Sequence, residues 1–334
     1  MLPLTTPVEM PSGLPKLSQR MPLLMVGSCF ATEMGLRLQE AKFDCDLNPY
    51  GVLYNPLSIA SALEEMANGK GYTQEELFLY QGLWHSPMHH GDFSSTHANQ
   101  VLDAINGRIA HAHARMPQLQ RLVLTLGTAF VYRRKADGRV VGNCHKLPER
   151  EFVREMLSVE QAAEALSSVL TRLKTLSPEL EVMLTVSPVR HLRDGLSANQ
   201  LSKSTLLLAV NKLQQHFAGW VHYFPAYEIV MDELRDYRFF ADDLTHPSRW
   251  TIDYVWQKLV DECFTPEAKQ IAAEAEALRK ALDHRPLHPD SAAYKAFLEQ
   301  TMLKIERLSG KYPYLDLQNE HESCLTRLNK LQNR

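Results

Sequence analysis

Two short segments far apart in the chain hold the residue types that acyl-transfer chemistry requires. The first is Gly27-Ser28-Cys29-Phe30, which follows the apolar run 23–26 and offers a hydroxyl and a thiol where a strand is predicted to give way to a helix. The second segment holds Asp243 and His246, a carboxylate and an imidazole. A nucleophile, a general base and a carboxylate that orients the base are the three parts of a catalytic triad. We therefore interpret the two segments as halves of one candidate active site.

Each segment also has a purely structural interpretation. A strand-to-helix turn needs a small residue, Ser28 is a favourable helix N-cap, and Cys29 is a common filler of apolar cores. The segment with Asp243 is typical of a turn before a helix whose N-cap is Ser248. Neither interpretation explains why a nucleophile and a base with its carboxylate bracket one α/β unit. The combination favours catalysis.

The elements between these segments predict how they are brought together. Buried strands are predicted at 23–27, 122–127, 182–186 and 221–224, with helices between them. Alternating strands and helices predict an α/β fold with a mostly parallel sheet. Ligands of such sheets bind at the carboxyl ends of the strands, where the segments 27–29, 127–129 and 187–191 fall.

The chain divides into three predicted parts. Residues 1–20 hold four prolines and are predicted to form an extended arm, residues 21–264 the α/β domain, and residues 265–334 a helical C-terminal extension. The polar composition after Gly310 predicts a loosely held tail. The C-terminal helices offer a surface on which a homo-oligomer can form.

Composition excludes several classes of function. With 334 residues and 45% hydrophobic content the chain can bury a full core, and a net charge of -3 argues against a nucleic-acid partner or a polybasic membrane anchor. No secretory signal and no apolar span of membrane length are recognised, so a cytoplasmic location is expected. The five cysteines show no C-x-x-C spacing, which argues against a disulfide framework or a zinc knuckle.

Several spaced motifs, taken together, resemble the GSCFA family, which is similar to SGNH/GDSL-type hydrolases. The resemblance covers Met21 to Phe264 and rests on four segments in order: 27–31 (GSCFA), 143–148 (NCHKLP), 187–191 (SPVRH) and 237–248. It implies a three-layer, flavodoxin-like α/β fold. It also implies a site for acyl hydrolysis or acyl transfer.

The resemblance assigns roles residue by residue. A match without gaps to the Gly-Asp-Ser block of the superfamily places Cys29, and not Ser28, on the nucleophile. The chemistry agrees, since a thiolate is the reactive form of cysteine and a helix N-terminus stabilises negative charge. The Asp-x-x-His block matches Asp243 and His246. Gly51 matches the glycine whose N–H helps to bind the oxyanion.

One superfamily block departs from its pattern. The Gly-x-Asn-Asp block is represented by Gly127-Thr128-Ala129-Phe130, so the oxyanion asparagine is absent. Another group must donate a hydrogen bond to the oxyanion. Asn143 and the hydroxyl of Thr128 are the two candidates, each with an ordinary turn role as its alternative.

Other polar residues are candidates for substrate contact. A histidine-rich loop invites a metal, but its spacing fits no common zinc site, so substrate contact is favoured and no metal or other cofactor is expected. Arg190 and His191 suit a carboxylate or phosphate of the substrate, with helix capping as their alternative. The remaining candidates are the loop histidines His85, His89, His90 and His97, together with His145 and Lys146.

The predicted function is therefore an esterase or acyltransferase with a Cys/Ser-His-Asp site. Its expected substrate is a small-molecule or glycan ester or thioester, processed through a covalent acyl-enzyme. A cysteine nucleophile favours a thioester donor, because thiolates exchange readily with thioesters. Two alternatives stay open, a non-catalytic ligand-binding module on the same fold and a metal-dependent hydrolase built on the histidine-rich loop.

Overall fold

A parallel sheet stands at the centre of the molecule, which a computed structural model describes over residues 5–332. The strands, in chain order, are β1 (Leu23–Gly27), β2 (Cys45–Leu47), β3 (Phe78–Tyr80), β4 (Leu83–His85), β5 (Arg121–Leu126), β6 (Phe130–Arg134), β7 (Val140–Val141), β8 (Phe152–Met156), β9 (Glu181–Val186) and β10 (Val221–Tyr223). Within the described residues the central sheet has the order β2-β1-β5-β9-β10, with every pair parallel. This is the flavodoxin-like order, and it confirms the predicted α/β class.

Helices cover both faces of this sheet. They are α1 (Cys29–Glu40), α2 (Pro56–Asn68), α3 (Ala98–Arg115), α4 (Val159–Leu176), α5 (Gly195–His216), α6 (Ala226–Glu228) with a π-helical turn at Ile229–Glu233, α7 (Arg249–Cys263), α8 (Pro266–Asp283), α9 (Ala292–Lys311) and α10 (Gln318–Gln332). Strand side chains alternate between the faces, so Leu23 and Met25 pack with α1 and α7, whereas Leu24 and Val26 pack with α2 to α5. Burial on both faces explains the continuous apolar runs of the strands.

Two small antiparallel sheets are added to this frame. Strands β3 and β4 form a hairpin, and β6 lies between β7 and β8. Strands β6 and β7 form a hairpin around Asp137-Gly138, with Tyr132 paired to Val141 on either side of it. Strand β4 includes His85, the first histidine of the predicted histidine-rich loop, so the prediction of a loop was wrong for that residue.

The N-terminal segment is held against the domain. Residues 1–4 of the predicted arm lie outside the described residues. Leu14 and Leu17 are buried, and the Leu17 N–H donates to the carbonyl of Cys263 over 2.6 Å. The segment therefore contributes to the core beside α1 and α7.

The C-terminal helices share an apolar cluster of their own. Helices α8, α9 and α10 enclose it, and α8 also contacts α1. The loosely held tail predicted after Gly310 was wrong for the described residues, since Cys324 and Leu328 of α10 are buried in this cluster. Residues 333 and 334 lie outside the description. No helix in the described part of the chain is long and apolar enough to cross a membrane.

Candidate active site

The first candidate segment lies where the strand order of the sheet reverses. Strand β1 ends at Gly27, and α1 begins two residues later, at the carboxyl edge between β1 and β5. A Cβ at position 27 would lie 2.3 Å from the carbonyl oxygen of Thr125, so the approach of β5 requires glycine there. Open α/β sheets bind ligands at such a switch point.

The two candidate nucleophiles have different surroundings. Ser28 is 1% exposed, and its hydroxyl neither caps α1 nor finds a hydrogen-bond partner among residues 5–332. Cys29 is half-buried and lines a cavity, with its Sγ 3.3 Å from the hydroxyl of Tyr54. The geometry therefore presents the thiol, and not the buried hydroxyl, to a ligand.

The second candidate segment forms a tight loop before α7. His246 Nδ1 donates to Asp243 Oδ2 over 2.6 Å, while Asp243 Oδ1 accepts the backbone N–H groups of Thr245 and His246, each at 2.9 Å. These hydrogen bonds, led by the one from the His246 backbone, lower the pKa of Asp243 far below its usual range. The carboxylate is thus ionised at neutral pH and fixes the imidazole with Nε2 directed away from it.

Cys29 and His246 line the same cavity, which measures about 1120 Å³. It runs between α1 and α7 and is bordered by α8 of the C-terminal helices. Ion pairs link the helices around it, with Arg37 Nη2 2.5 Å from Asp253 Oδ1 and Arg279 Nε 3.7 Å from Glu40 Oε2. The space beside the thiol is therefore long enough to hold a substrate larger than its reacting acyl group.

Backbone donors are available beside the thiol. Among the described residues, no acceptor takes a hydrogen bond from the N–H of Cys29 or Phe30 at the start of α1. Free N–H groups at a helix N-terminus suit developing negative charge. These two groups form the candidate oxyanion hole.

The three predicted oxyanion donors make hydrogen bonds of their own. The Gly51 N–H donates to the Asn48 carbonyl over 2.7 Å. The Thr128 hydroxyl lies 3.0 Å from Ser202 Oγ and accepts the Phe130 N–H, and Asn143 Oδ1 accepts the His145 N–H over 2.8 Å. None of the three is among the described residues that line the cavity. The Gly51 N–H is therefore already satisfied, whereas Asn143 and Thr128 stay candidate oxyanion donors.

Two residues near the site were missed in the sequence. Tyr54 lies two residues before α2 and was not among the predicted site residues. Lys203 is 1% exposed, and its Nζ donates to the carbonyl oxygens of Gly127 and Ser187, each at 2.6 Å. Burial lowers the pKa of Lys203 to about 7. Its inward position could have been read from the spacing to Leu206, one helical turn later on the buried face of α5.

Comparison with known proteins identifies the family. The model of the GSCFA family matches residues 22–259, and that of the C-terminal domain of GSCFA domain proteins matches residues 275–330. The chain belongs to the GSCFA family. No curated protein matches it.

One solved structure to which the chain is similar is an acetyl xylan esterase from the rumen bacterium Butyrivibrio proteoclasticus. It is 11% identical to the GSCFA chain, with a TM-score of 0.36, and the match covers 72% of this chain and 63% of the esterase. The GSCFA chain thus spans less than two thirds of that protein. The similarity is too distant to bear on activity.

The histidine-rich segment of this GSCFA protein is a buried aromatic cluster. His89 is fully buried, stacks on Tyr50 with ring centroids 4.2 Å apart, and its Nδ1 lies 2.8 Å from Ser86 Oγ. His145 Nε2 lies 2.7 Å from the Ser86 carbonyl, and its ring centroid is 4.4 Å from that of His85. Burial is the largest cause that lowers the pKa of His89 to about 3 and of His145 to about 4. Both rings pack inside the protein, so the structure gives no support to the predicted substrate contact by His89 and His145.

The remaining loop residues stay apart from the cavity. His90 is at the surface, where its Nδ1 lies 2.9 Å from Asp92 Oδ2, and Lys146 is exposed. His97 ends the loop immediately before α3. No group of three or more histidine, cysteine or acidic side chains within residues 5–332 is arranged to hold a metal.

Arg190 and His191 contact residues around the candidate site. The Arg190 N–H donates to the Thr245 carbonyl over 3.1 Å, and its guanidinium lies over the ring of Phe240. The His191 ring meets Tyr54 edge-on, and burial, followed by the charge of Lys203, lowers its pKa to about 4. Neither is among the described residues that line the cavity, and their predicted contact with the substrate stays a prediction.

Proposed function

We propose that this GSCFA protein transfers acyl groups from an ester or thioester through an acyl-enzyme on Cys29. The observation that supports this most is the opening of both Cys29 and His246 into one cavity, with His246 held by Asp243. The three side chains supply a nucleophile, a base and a group that orients the base. The chain thereby offers the parts of an esterase or acyltransferase without a metal.

The first half of the reaction forms the acyl-enzyme. His246 Nε2 removes the proton of the Cys29 thiol, and the thiolate attacks the substrate carbonyl carbon, moving the C=O electron pair to oxygen. The N–H groups of Cys29 and Phe30 bind this oxyanion. When the tetrahedral intermediate collapses, the bond to the leaving oxygen or sulfur breaks, and protonated His246 returns its proton to that atom.

The second half releases the acyl group. His246 removes a proton from water or from an acceptor hydroxyl, whose oxygen attacks the thioester carbon. Collapse restores the Cys29 sulfur, which recovers its proton from His246. Water gives a carboxylic acid, and an acceptor hydroxyl gives a new ester. Asp243 stabilises the imidazolium that forms in both halves.

A cysteine nucleophile bears on the class of donor. Sulfur exchanges readily with thioesters, so a thioester donor suits Cys29 better than a simple oxygen ester. The cavity indicates that the substrate is large, because it extends well beyond Cys29 along α1 and α7. The proposed substrate is therefore a small-molecule or glycan ester or thioester with a sizeable group beyond the reacting carbonyl.

Hydrolysis of an aryl acetate and of an acetyl thioester tests this proposal. We expect turnover by the wild type and a loss of about 10³-fold or more in His246→Ala, because the base is removed. His111→Ala is the matched control, since His111 is an exposed histidine of α3. Full turnover by His246→Ala would contradict the proposal. Absence of turnover by the wild type on both substrates would favour a non-catalytic binding module.

A further inference from the structure

The hydroxyl of Tyr54 lies at the candidate nucleophile. Its oxygen is 3.3 Å from Cys29 Sγ, which is within hydrogen-bond distance for sulfur. No other hydrogen-bond partner of this hydroxyl is found among residues 5–332. Either group can donate while Cys29 is a thiol, but once the sulfur is a thiolate the phenol is the only donor of the pair.

The protein holds this ring in place from several sides. The preceding residue, Leu53, donates its N–H to the Gly27 carbonyl over 3.0 Å, and the following residue, Asn55, caps α2 through Ser58. The His191 ring meets the Tyr54 ring edge-on, with centroids 5.7 Å apart. A donor that is already fixed needs little reorganisation during reaction.

Tyr54 also packs where the expected asparagine is absent. Its carbonyl accepts the N–H groups of Gly127 and Thr128, at 2.7 and 3.0 Å. A Cβ at position 127 would lie 3.1 Å from Tyr54 Cδ1, so the ring rests against the residue that opens the altered block. Tyr54, which carries a hydroxyl donor, therefore covers the segment 127–130, in which the asparagine donor is missing.

The geometry points to Tyr54 as a further catalytic residue, which hydrogen-bonds the Cys29 sulfur at rest and the substrate oxyanion during acylation. This inference rests on the proposed function. As the bond from sulfur to carbon forms, negative charge moves from sulfur to the neighbouring carbonyl oxygen, and the phenol follows it over a short distance. Tyrosine hydroxyls serve as oxyanion donors in the same way as asparagine amides.

The proton of Tyr54 stays on its oxygen throughout this step. Burial, followed by the hydrogen bond with Cys29, raises the pKa of Tyr54 above its ordinary value. A phenol that resists ionisation donates a hydrogen bond without becoming a competing base. His246 therefore remains the group that accepts and returns the proton.

The variant Tyr54→Phe separates this role from packing. Phenylalanine keeps the ring against Gly127 and removes only the hydroxyl, so the unfolding temperature should stay close to that of the wild type. We expect the kcat/KM for acylation by an aryl acetate to fall about 10²- to 10³-fold, the usual cost of losing one oxyanion donor. Tyr80→Phe on β3 is the matched control and should leave acylation unchanged.

Alkylation of Cys29 by iodoacetamide supplies a second readout that needs no turnover. Loss of the donated hydrogen bond destabilises the thiolate, so the pH at which alkylation is half-maximal should rise in Tyr54→Phe. If that variant does not fold, replacement of Tyr54 by 3-fluorotyrosine keeps the hydroxyl and strengthens its donation. The half-maximal pH should then fall.

The outcomes distinguish this inference from the proposed function. Acylation by Tyr54→Phe within threefold of the wild type would overturn the role of Tyr54, while a dead Cys29→Ala would leave the proposed function standing. A shifted alkylation profile with full acylation at high pH would overturn the oxyanion role and leave Tyr54 acting on the thiol alone. Full activity of Cys29→Ala would instead remove the proposed function itself.

Discussion

Two regions of this molecule concentrate residues with chemical potential, and they differ in how their polar groups are used. At the carboxyl edge of the sheet, His246 and Asp243 each keep 49% of the side chain exposed, and Cys29 opens into the cavity. In the histidine-rich segment, His89 is fully buried and His145 nearly so. The first region presents its reactive atoms to solvent, whereas the second turns them toward aromatic rings and backbone carbonyls.

Residue type alone therefore does not identify a functional site. His89 and His246 are both imidazoles with one ring nitrogen in a short contact, to Ser86 Oγ and to Asp243 Oδ2 respectively. Burial lowers the pKa of His89 to about 3 and keeps it neutral, whereas His246 is half exposed beside the Asp243 carboxylate. His89 is therefore closed off from any ligand, whereas His246 lines the cavity together with Cys29.

The largest effect is expected from removing the thiol. Cys29→Ala should lower acyl transfer by about 10³-fold or more, because no nucleophile remains at the cavity. Ser28→Ala should stay within about threefold of the wild type, since its buried hydroxyl lacks a partner among the described residues. Steady-state kinetics with an aryl acetate compare the two, and a reversed order would assign the nucleophile to Ser28.

A smaller loss is expected when the base loses its orienting carboxylate. Asp243→Asn should reduce kcat by about 10²- to 10⁴-fold, because the amide cannot stabilise the imidazolium of His246. Asp242→Asn is the control, as Asp242 is an exposed neighbour with no hydrogen bond or ion pair in the described chain. Equal kcat values for the two variants would show that Asp243 does not serve catalysis.

The histidine-rich segment should affect stability, and not catalysis. His89 binds a proton less readily in the folded state than in the unfolded state, so between their pKa values the free energy of unfolding falls as the pH falls. From about pH 7.5 to pH 5 this amounts to about 2 kcal/mol. His89→Phe, which keeps a ring on Tyr50, should remove that part of the pH dependence.

Urea unfolding of both proteins at the two pH values measures this difference. The wild type and the variant should also show equal acyl-transfer rates at neutral pH. A parallel pH dependence of the two proteins would mean that His89 is charged in the fold. A large loss of activity in the folded variant would show that the histidine-rich segment is part of the active site.

The smallest effect is expected from the exposed end of the same segment. His90→Ala removes a surface ion pair with Asp92, which contributes no more than about 1 kcal/mol to the free energy of unfolding. Activity should stay at the wild-type level. Thermal unfolding and kinetics together check this, and a loss of substrate affinity would restore the predicted role of His90 in binding.

The fold and the two halves of the site follow from local patterns. Apolar runs that end in glycine mark buried strands, and helical spacing between them requires crossovers, so the carboxyl edge collects Gly27, Gly127 and Ser187. The Asp243 and His246 pair lies within one short loop and is recognisable from spacing. Local sequence could not show that Cys29 faces the cavity while Ser28 faces the core.

What sequence reasoning missed depends on contacts between distant segments. Tyr54 reaches Cys29 because the Leu53 N–H binds the Gly27 carbonyl, and no spacing rule encodes that bond. His89 is buried because Tyr50 and Tyr72 come to it from separate loops. Helix α10 has few apolar residues, so its sequence did not predict that Cys324 is buried against α9.

The most direct test of the account is to trap the acyl-enzyme. The wild type is mixed with an aryl acetate, quenched in acid during turnover and digested, and the acetylated residue is located by mass spectrometry. We expect one acetyl group on the sulfur of Cys29, with its accumulation slowed in His246→Ala. An acetyl group on Ser28, or turnover with Cys29 unmodified and Cys29→Ala fully active, would contradict it.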